Sequence, residues 1–235
     1  MANLRVEGLK KNFGRKVAVR DVGFSMVEGE IVGLLGPNGA GKTTVFYMIV
    51  GFIRATAGRI YLNNANITHK PMYKRARRGI SYLPQEASVF RKLTVEKNIW
   101  AVLQTRGDLS RKQKKYELET LLDELGIKEL RRQKAYTLSG GERRRTEIAR
   151  SLAIKPKFLL LDEPFAGIDP IAVFEIKKIV SELSRKGIGV LITDHNVRDT
   201  LEITNRSYII NLGEILVSGS KDELLVSETA RQVYL

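Results

Sequence analysis

Residues 36–43 read Gly36-Pro37-Asn38-Gly39-Ala40-Gly41-Lys42-Thr43, and Thr44 follows. This segment matches the pattern G-x-x-x-x-G-K-[ST], and it lies between the apolar run Ile31–Leu35 and a helical pattern over residues 44–50. In that context, glycine-rich backbone N–H groups and a helix N-terminus surround phosphate oxygens. We therefore predict that residues 36–44 bind a nucleoside triphosphate, with Lys42 reaching the β- and γ-phosphates and Thr43 binding Mg²⁺.

A second apolar run ends in two carboxylates. Residues 158–161 are all apolar, and Asp162 and Glu163 follow directly. Asp162 is predicted to hold the metal ion, and Glu163 to face the γ-phosphate and polarise an attacking water. The alternative is that both carboxylates cap a helix that begins near Pro170. The phosphate-loop lysine in the same chain favours the metal site.

Apolar periodicity predicts one α/β domain. Alternating apolar and polar residues at the N-terminus indicate an antiparallel sheet with one exposed face. Short apolar runs predict strands at residues 59–62, 80–83, 158–161, 190–193, 207–211 and 214–218. Helical spacing predicts helices at residues 94–105, 111–125 and 141–154. The predicted division is a nucleotide-binding core with an antiparallel β subdomain over 1–92 and 154–235, and an inserted α-helical subdomain over 93–153.

Composition excludes several classes of protein. The 235 residues include no Cys and two His, which rules out disulfide scaffolds, cysteine nucleophiles and multi-histidine metal sites. The N-terminal segment lacks the apolar core of a secretory signal, and no run approaches the ~18 apolar residues that span a bilayer. A membrane role is therefore expected to be peripheral.

The positive charge is concentrated in the middle of the chain. The net charge is +14, and residues 70–150 carry +11 of it. Three interpretations remain open at this point: a solvated helical surface, a contact for anionic lipid headgroups, or a contact for nucleic acid.

A third motif narrows the choice of protein family. Leu138-Ser139-Gly140-Gly141-Glu142 precedes the strand that ends at Asp162. It places a hydroxyl and bare N–H groups at a helix N-terminus, where anions bind. This motif resembles the signature of ABC ATPases. Four further positions resemble landmarks of that family in the expected places: Phe13, Gln85, Asp169 and His195.

The resemblance implies roles for these residues. Phe13 would stack on adenine, Gln85 would contact Mg²⁺ and the attacking water, and His195 would contact the γ-phosphate. Asp169 would lie in an inter-subunit loop. The alternatives are a core position for Phe13 and an ordinary loop position for His195.

The family resemblance also implies a homodimer in the ATP-bound state. Two copies would close head to tail, so that residues 36–44 of one chain and residues 139–142 of the other enclose each ATP. Lys42, Ser139 and Mg²⁺ would stabilise charge on the transferred phosphoryl group, and Glu163 would drive hydrolysis.

Spacing favours a transporter subunit over other members of the family. Thr43 and Ser139 are only 96 positions apart, whereas members that act in DNA repair insert a long coiled coil there. Translation-associated members usually carry two ATPase modules in one chain. A single short module without membrane spans resembles an ATPase subunit that docks on separate permeases.

Four segments point to one branch of the family. Residues 82–91, 139–145, 162–170 and 193–198 closely resemble the ATPase subunits of lipopolysaccharide export in Gram-negative bacteria. The resemblance runs from Leu4 to about Leu235, and such subunits commonly continue for a few residues more.

That branch implies a location and partners. The chain would lie on the cytoplasmic face of the inner membrane, with two integral-membrane permease subunits and a membrane-anchored periplasmic component, and without direct contact to the lipopolysaccharide. Phe90 and Arg91 would line a groove that receives a short permease helix; the alternative for Phe90 is a core position. The competing functions are the ATPase of a branched-chain amino-acid importer and, more remotely, a non-transport ATPase bound to nucleic acid.

Overall fold

The computed structural model describes residues 1–233, and Tyr234 and Leu235 lie outside the described part. Within it, the strands are β1 (Asn3–Phe13), β2 (Lys16–Val27), β3 (Ile31–Leu35), β4 (Ala57–Leu62), β5 (Ala65–Asn66), β6 (Ile80–Leu83), β7 (Phe158–Asp162), β8 (Gly189–Thr193), β9 (Arg206–Asn211) and β10 (Glu214–Gly219). The helices in the same range are α1 (Lys42–Val50), α2 (Met72–Ala76), α3 (Val95–Leu103), α4 (Arg111–Glu124), α5 (Gly140–Leu152), α6 (Pro170–Arg185), α7 (Val197–Ile203), α8 (Lys221–Val226) and α9 (Glu228–Val233).

The strands form one mixed sheet with the order β5-β4-β1-β2-β10-β9-β3-β8-β7-β6. β1, β2, β4 and β5 pair antiparallel at one end. The alternating residues pair across β1 and β2 as predicted, with Leu4 opposite Met26 and Val6 opposite Phe24, all four buried. The N-terminal antiparallel sheet is therefore confirmed.

The other end of the sheet is parallel and positions the functional residues. β6, β7, β8, β3 and β9 run parallel in that order. Every residue of β3, β7 and β8 is buried, because helices cover both faces of these strands. Since parallel strands point the same way, their carboxyl ends share one edge, where ligands of open α/β sheets bind.

The apolar core has two main layers, one on each face of the sheet. Phe46 of α1 packs in the first layer with Phe158 of β7. The second layer contains apolar residues of α3 to α6, including the predicted helical stripe Leu118, Leu121, Leu122 and Leu125. The inserted helices thus bury their apolar faces against each other and the sheet.

Each strand and helix predicted with stated ends is present, and each end lies within two residues of the prediction. The sequence patterns did not predict β5, α2, α7, α8 or α9. Each of these elements has seven residues or fewer, so none is long enough to display a clear apolar period.

A buried arginine closes the end of α1. The Arg75 guanidinium is 2% exposed and donates to the carbonyl oxygens of Met48 at 2.6 Å, Ile49 at 2.7 Å, Thr68 at 2.7 Å and Lys70 at 2.7 Å. The last carbonyls of a helix have no partner within the helix, and Arg75 supplies one. Burial lowers the pKa of Arg75 to about 10.

Arg75→Met is expected to destabilise the protein strongly. It leaves the buried carbonyls of Met48, Ile49 and Thr68 without this donor. Each unsatisfied buried acceptor costs about 1–3 kcal/mol, so the total loss should be at least about 3 kcal/mol. The free energy of unfolding, measured by urea denaturation, should fall by that amount. Arg78→Met removes an exposed arginine from the same segment and should change it by less than about 0.5 kcal/mol. Equal losses in the two variants would contradict this role of Arg75.

Candidate active site

The phosphate loop connects β3 to α1 at the carboxyl edge of the sheet. A Cβ at position 36 would lie 2.0 Å from the carbonyl oxygen of Ile210, so only glycine fits there. Gly41 has a φ of 107° and precedes the first residue of α1, which is a left-handed conformation that glycine adopts without strain. The loop thus follows the backbone path that its sequence pattern predicts.

Lys42 curls back over this loop. Its Nζ donates to the carbonyl oxygens of Gly36 at 2.6 Å and Pro37 at 3.1 Å, and the residue is only 5% exposed. Burial lowers the pKa of Lys42, while the nearby negative charges of Glu163, Asp162 and Asp194 oppose that shift. The ammonium therefore lies where phosphate oxygens could replace the two carbonyls as acceptors.

Asp162, at the end of β7, is held by two hydroxyl donors. Its carboxylate accepts from the Thr193 hydroxyl at 2.7 Å and the Tyr82 hydroxyl at 3.2 Å. Burial, and then the charge of Asp162, raise the pKa of Tyr82, so Tyr82 stays protonated and donates. These contacts fix the direction in which Asp162 presents its charge.

Glu163 adopts an unusual backbone conformation. Its φ is 47°, a left-handed value that is uncommon for a residue with a Cβ and that concentrates at functional sites. The Glu163 N–H donates to the Thr193 carbonyl oxygen at 2.9 Å, and this hydrogen bond to β8 maintains the conformation. The alternative that Asp162 and Glu163 cap α6 is wrong, because Asp169 caps that helix through the N–H of Ala172 at 3.0 Å.

The Glu163 carboxylate joins two other predicted catalytic residues. Gln85 Nε2 donates to Oε2 at 2.5 Å, and His195 Nε2 lies 2.7 Å from Oε1. Gln85 follows β6, Glu163 follows β7, and His195 follows β8. The sheet order therefore brings Gln85 and His195, which are far from Glu163 in sequence, to the Glu163 carboxylate.

These groups line a common cleft of about 800 Å³. Its walls include the residues Phe13, Lys16, Arg20, Asn38, Gly39, Ala40, Gly41, Lys42, Thr43, Thr44, Gln85, Glu163 and His195. Phe13 is 50% exposed, with the Lys11 ammonium 4.9 Å from its ring centroid. A core position for Phe13 is therefore wrong, and its ring is free to stack on a base.

The oxygen donors near the phosphate loop suit a hard cation. No group of three or more His, Cys, Asp and Glu side chains that could hold a metal occurs within residues 1–233. The hydroxyl of Thr43 and the amide of Gln85 line the cleft, and the Asp162 carboxylate does not line it but acts electrostatically on Lys42. Such a sparse oxygen set fits Mg²⁺, which keeps several waters and takes its remaining ligands from phosphates.

The predicted signature residues do not line this cleft. Ser139 is exposed at the N-terminus of α5, where its hydroxyl accepts from the Glu142 N–H at 3.3 Å and Glu142 Oε2 accepts from the Ser139 N–H at 2.8 Å. Gly140 and Gly141 pack beside Ile168 and Ala172, next to the Asp169 loop. The signature motif is thus presented outward, apart from the phosphate loop of its own chain.

Sequence reasoning missed two residues that connect these motifs. The buried guanidinium of Arg144 donates to the carbonyls of Pro84 at 2.8 Å, Asp162 at 3.1 Å and Glu163 at 3.3 Å. Glu147 accepts from Arg144 at 3.2 Å and from the Ser88 N–H at 2.5 Å. The available signal was a pair of opposite charges, three residues apart, on the buried face of α5.

A groove beside the Gln85 loop lies next to the other predicted interface, but neither Phe90 nor Arg91 lines it. It has a volume of about 390 Å³ and is lined in part by Tyr47, Phe52, Met72, Ser88, Val102 and Arg150. Phe90 is 48% exposed, and the Arg150 guanidinium lies 4.5 Å from its ring centroid. Asn98 holds the Phe90 backbone through both its N–H and its carbonyl. A core position for Phe90 is therefore wrong, and Arg91 is exposed beside it.

The phosphate loop, the carboxylates after β7 and the parallel sheet define a P-loop ATPase. The family model described as ABC transporter matches residues 19–166. The chain belongs to this family, whose ATPases couple ATP hydrolysis to transport. In the part of the chain that the structure describes, no helix is both long enough and apolar enough to cross a membrane.

Curated relatives are similar over the whole chain. The lipopolysaccharide export system ATP-binding protein LptB of Escherichia coli K12 is 52% identical over 235 residues, with 100% of this chain and 98% of the relative covered. LptB of Haemophilus influenzae is 51% identical with the same coverage. LptB of Acidithiobacillus ferridurans is 54% identical over 232 residues, with 99% of this chain and 96% of the relative covered.

Solved structures share the fold. The ADP conformation of MJ1267, an ATP-binding cassette of an ABC transporter, is 30% identical with a TM-score of 0.88, covering 100% of this chain and 98% of that one. A nucleotide-free ATP-binding cassette is 29% identical with a TM-score of 0.87, covering 100% and 99%. The predicted α/β ABC-type fold is confirmed.

Proposed function

We propose that this protein is the ATP-hydrolysing subunit of a transporter that extracts lipopolysaccharide from the inner membrane and exports it toward the outer membrane. The observation that carries the proposal is the identity of 51–54% to LptB proteins over essentially the full length of the chain. The aligned length spans the residues of the ATP cleft and the segment that contains Phe90.

The geometry of the cleft supports a division of labour among its residues. The backbone N–H groups of residues 36–44, apart from Pro37, and the Lys42 ammonium bind the ATP phosphates, and Phe13 stacks on the adenine. Thr43, Asp162 and Gln85 hold Mg²⁺, which would neutralise phosphate charge when bound. Glu163 polarises the attacking water. Gln85 and His195 orient the two carboxylate oxygens of Glu163. The Glu163 carboxylate and the Lys42 ammonium thus line the same cleft.

A second copy of the chain completes the site in the ATP-bound state. This part of the proposal is supported by the N-terminus of α5, where Ser139 is exposed and none of Ser139, Gly140, Gly141 and Glu142 lines the cleft of its own chain. A head-to-tail homodimer would place these N–H groups and the Ser139 hydroxyl on the phosphates bound by the partner. Asp169, exposed in the neighbouring loop, would lie in the same interface.

The transport partners bind at the groove beside Phe90. Its aromatic and aliphatic walls with a cation at the rim suit a short amphipathic helix. Two integral-membrane permease subunits would each supply such a helix, and a membrane-anchored periplasmic component would receive the cargo. The chain then lies peripherally on the cytoplasmic face of the inner membrane and does not contact the lipopolysaccharide.

Phe90→Ala is expected to weaken binding to the permease by roughly tenfold or more, because a partly exposed aromatic beside a groove is a typical binding hot spot. The affinity for ATP should stay the same, since Phe90 does not line the nucleotide cleft. Copurification of the permease and nucleotide titration measure the two effects. Phe174→Ala is the matched control, because Phe174 is also exposed and has a lysine over its ring. Loss of ATP binding in the Phe90 variant would count against the assignment.

Affinity purification of the tagged chain from gently solubilised native membranes tests the proposed function. Mass spectrometry should identify two similar permease subunits, a single-span protein with a periplasmic domain, and lipopolysaccharide. Recovery of branched-chain amino-acid permeases, or of nucleic acid without membrane proteins, would overturn the biological role and leave the ATPase chemistry intact.

A further inference from the structure

One region of the chain is entirely free of acidic residues. No Asp or Glu occurs between Glu30 and Glu86, whereas the same region contains eight Lys and Arg. Five of these cations fall within residues 70–78, around the short helix α2. Only Arg75 among the five is buried. The exposed members, with the tyrosine between them, form a surface that we call the α2 patch: Lys70, Tyr73, Lys74, Arg77 and Arg78.

The cations of the α2 patch are not neutralised by the protein. Within residues 1–233, none of Lys70, Lys74, Arg77 and Arg78 forms an ion pair with a carboxylate. The nearby cations outside the patch differ in this respect. Arg106 pairs with Asp108 at 2.5 Å, and Lys155 pairs with Glu117 at 2.6 Å. The patch therefore has a local positive field that an external anion can satisfy.

An exposed aromatic ring and an apolar side chain lie among the cations of the α2 patch. Tyr73 is 57% exposed, and Lys74 Nζ and the Arg77 guanidinium lie 5.9 Å and 5.8 Å from its ring centroid. Met72, which precedes Tyr73 in α2, is also exposed. Long cations around an aromatic ring are typical of segments that rest at a membrane surface, where rings enter the headgroup layer and cations bind phosphates.

The patch borders the groove proposed for the permease helix. A cleft of about 750 Å³, whose walls include Tyr73, Arg77, Arg106 and Lys155, lies on the other side of α2. Ala76 and Ile154 line both this cleft and the groove, so the two are adjacent. A helix of a membrane-embedded partner in the groove would bring the α2 patch to the membrane surface.

We propose that the α2 patch binds the phosphate groups of anionic phospholipids on the cytoplasmic leaflet. Its orientation toward the membrane rests on the proposed function, whereas its affinity for anionic lipid follows from its own charges and rings. Nucleic acid is the weaker occupant, because a membrane-embedded partner in the adjoining groove would bring the exposed Tyr73 ring and its cations to a headgroup layer. Binding would align the subunit with the permease before the groove is filled.

Vesicle binding by the full chain tests this proposal. The probes are vesicles of phosphatidylcholine mixed with phosphatidylglycerol, and vesicles of phosphatidylcholine alone. The test variant carries Lys74→Gln, Arg77→Gln and Arg78→Gln. Each lysine or arginine near an anionic surface contributes roughly a fivefold gain in partitioning, so the anionic-vesicle partition coefficient should fall by roughly 10²-fold. The basal ATPase rate should not change, since these residues lie outside the nucleotide cleft.

The matched control removes the same charge from α4 by Arg111→Gln, Lys112→Gln and Lys115→Gln, all exposed. It should lower the partition coefficient by less than about threefold, through long-range charge alone. Equal losses in the two variants would overturn the proposal in favour of net charge. Binding to single-stranded DNA that depends on the α2 patch, without vesicle binding, would overturn it in favour of nucleic acid. Because the assay contains neither permease nor lipopolysaccharide, its result is independent of which cargo the transporter moves.

Discussion

Glu163→Gln is expected to lower the rate of ATP hydrolysis by roughly 10²–10⁴-fold, the usual contribution of a general base. Glutamine keeps the size of the side chain and can still contact Gln85 and His195, but it cannot take a proton from water. The affinity for ATP should change by less than about threefold, because Lys42 and the phosphate loop carry the binding. Since hydrolysis opens the proposed dimer, the variant should accumulate as an ATP-bound dimer.

Steady-state phosphate release and size-exclusion chromatography with ATP and Mg²⁺ measure these two effects. Glu86→Gln makes the same change of charge at an exposed carboxylate next to Gln85, and it should leave both the hydrolysis rate and the oligomeric state of the isolated protein unchanged. A Glu163 variant that hydrolyses ATP normally and stays monomeric at saturating ATP would exclude Glu163 as the base.

Lys42→Met should greatly weaken the binding of ATP. The Lys42 ammonium now donates to two loop carbonyls, and in the complex it would donate to phosphate oxygens. A hydrogen bond between charged groups contributes about 1.5–3 kcal/mol, so the loss of one or two such bonds should raise the Kd for ATP by roughly 10²-fold. Loss of charge stabilisation in the transition state should lower the hydrolysis rate further, by roughly 10²–10³-fold.

Isothermal titration with ATP measures the affinity, and thermal unfolding of the free protein confirms that the variant is folded. Lys16→Gln removes a cation from the exposed rim of the same cleft. A solvent-screened charge there should change the Kd by less than about threefold. Equal effects of the two substitutions would mean that overall charge, and not the placement of Lys42, determines nucleotide affinity.

The sequence predicted the parts of the fold where local pattern and tertiary environment agree. β3, β7 and β8 are unbroken apolar runs because both faces of these strands are buried, and Leu118, Leu121 and Leu122 repeat at helical spacing because one face of α4 is buried. Helix α2 could not be predicted in the same way, since it has five residues and Arg75 is its buried member. A pattern of hydrophobic residues does not reveal a buried arginine.

The sequence motifs predicted candidate residues for the site, but not the contacts among them. Motifs located Gln85, Glu163 and His195, yet their meeting at one carboxylate depends on the order β6-β7-β8 in the sheet. The left-handed backbone of Glu163 has no signal in the sequence, because the residue type disfavours that conformation. The Arg144 contacts to Asp162 and Glu163 were also missed, since they join a helix to a strand end across the fold.

We propose that ATP hydrolysis by this chain drives lipopolysaccharide out of a membrane. The most direct measurement reconstitutes the chain with its copurified permease in proteoliposomes that contain lipopolysaccharide, and follows ATP-dependent transfer of lipopolysaccharide to a soluble periplasmic acceptor. We expect transfer that requires ATP and stops in the Glu163→Gln variant. ATP hydrolysis that proceeds without any lipopolysaccharide transfer, while the same proteoliposomes accumulate a branched-chain amino acid, would contradict it.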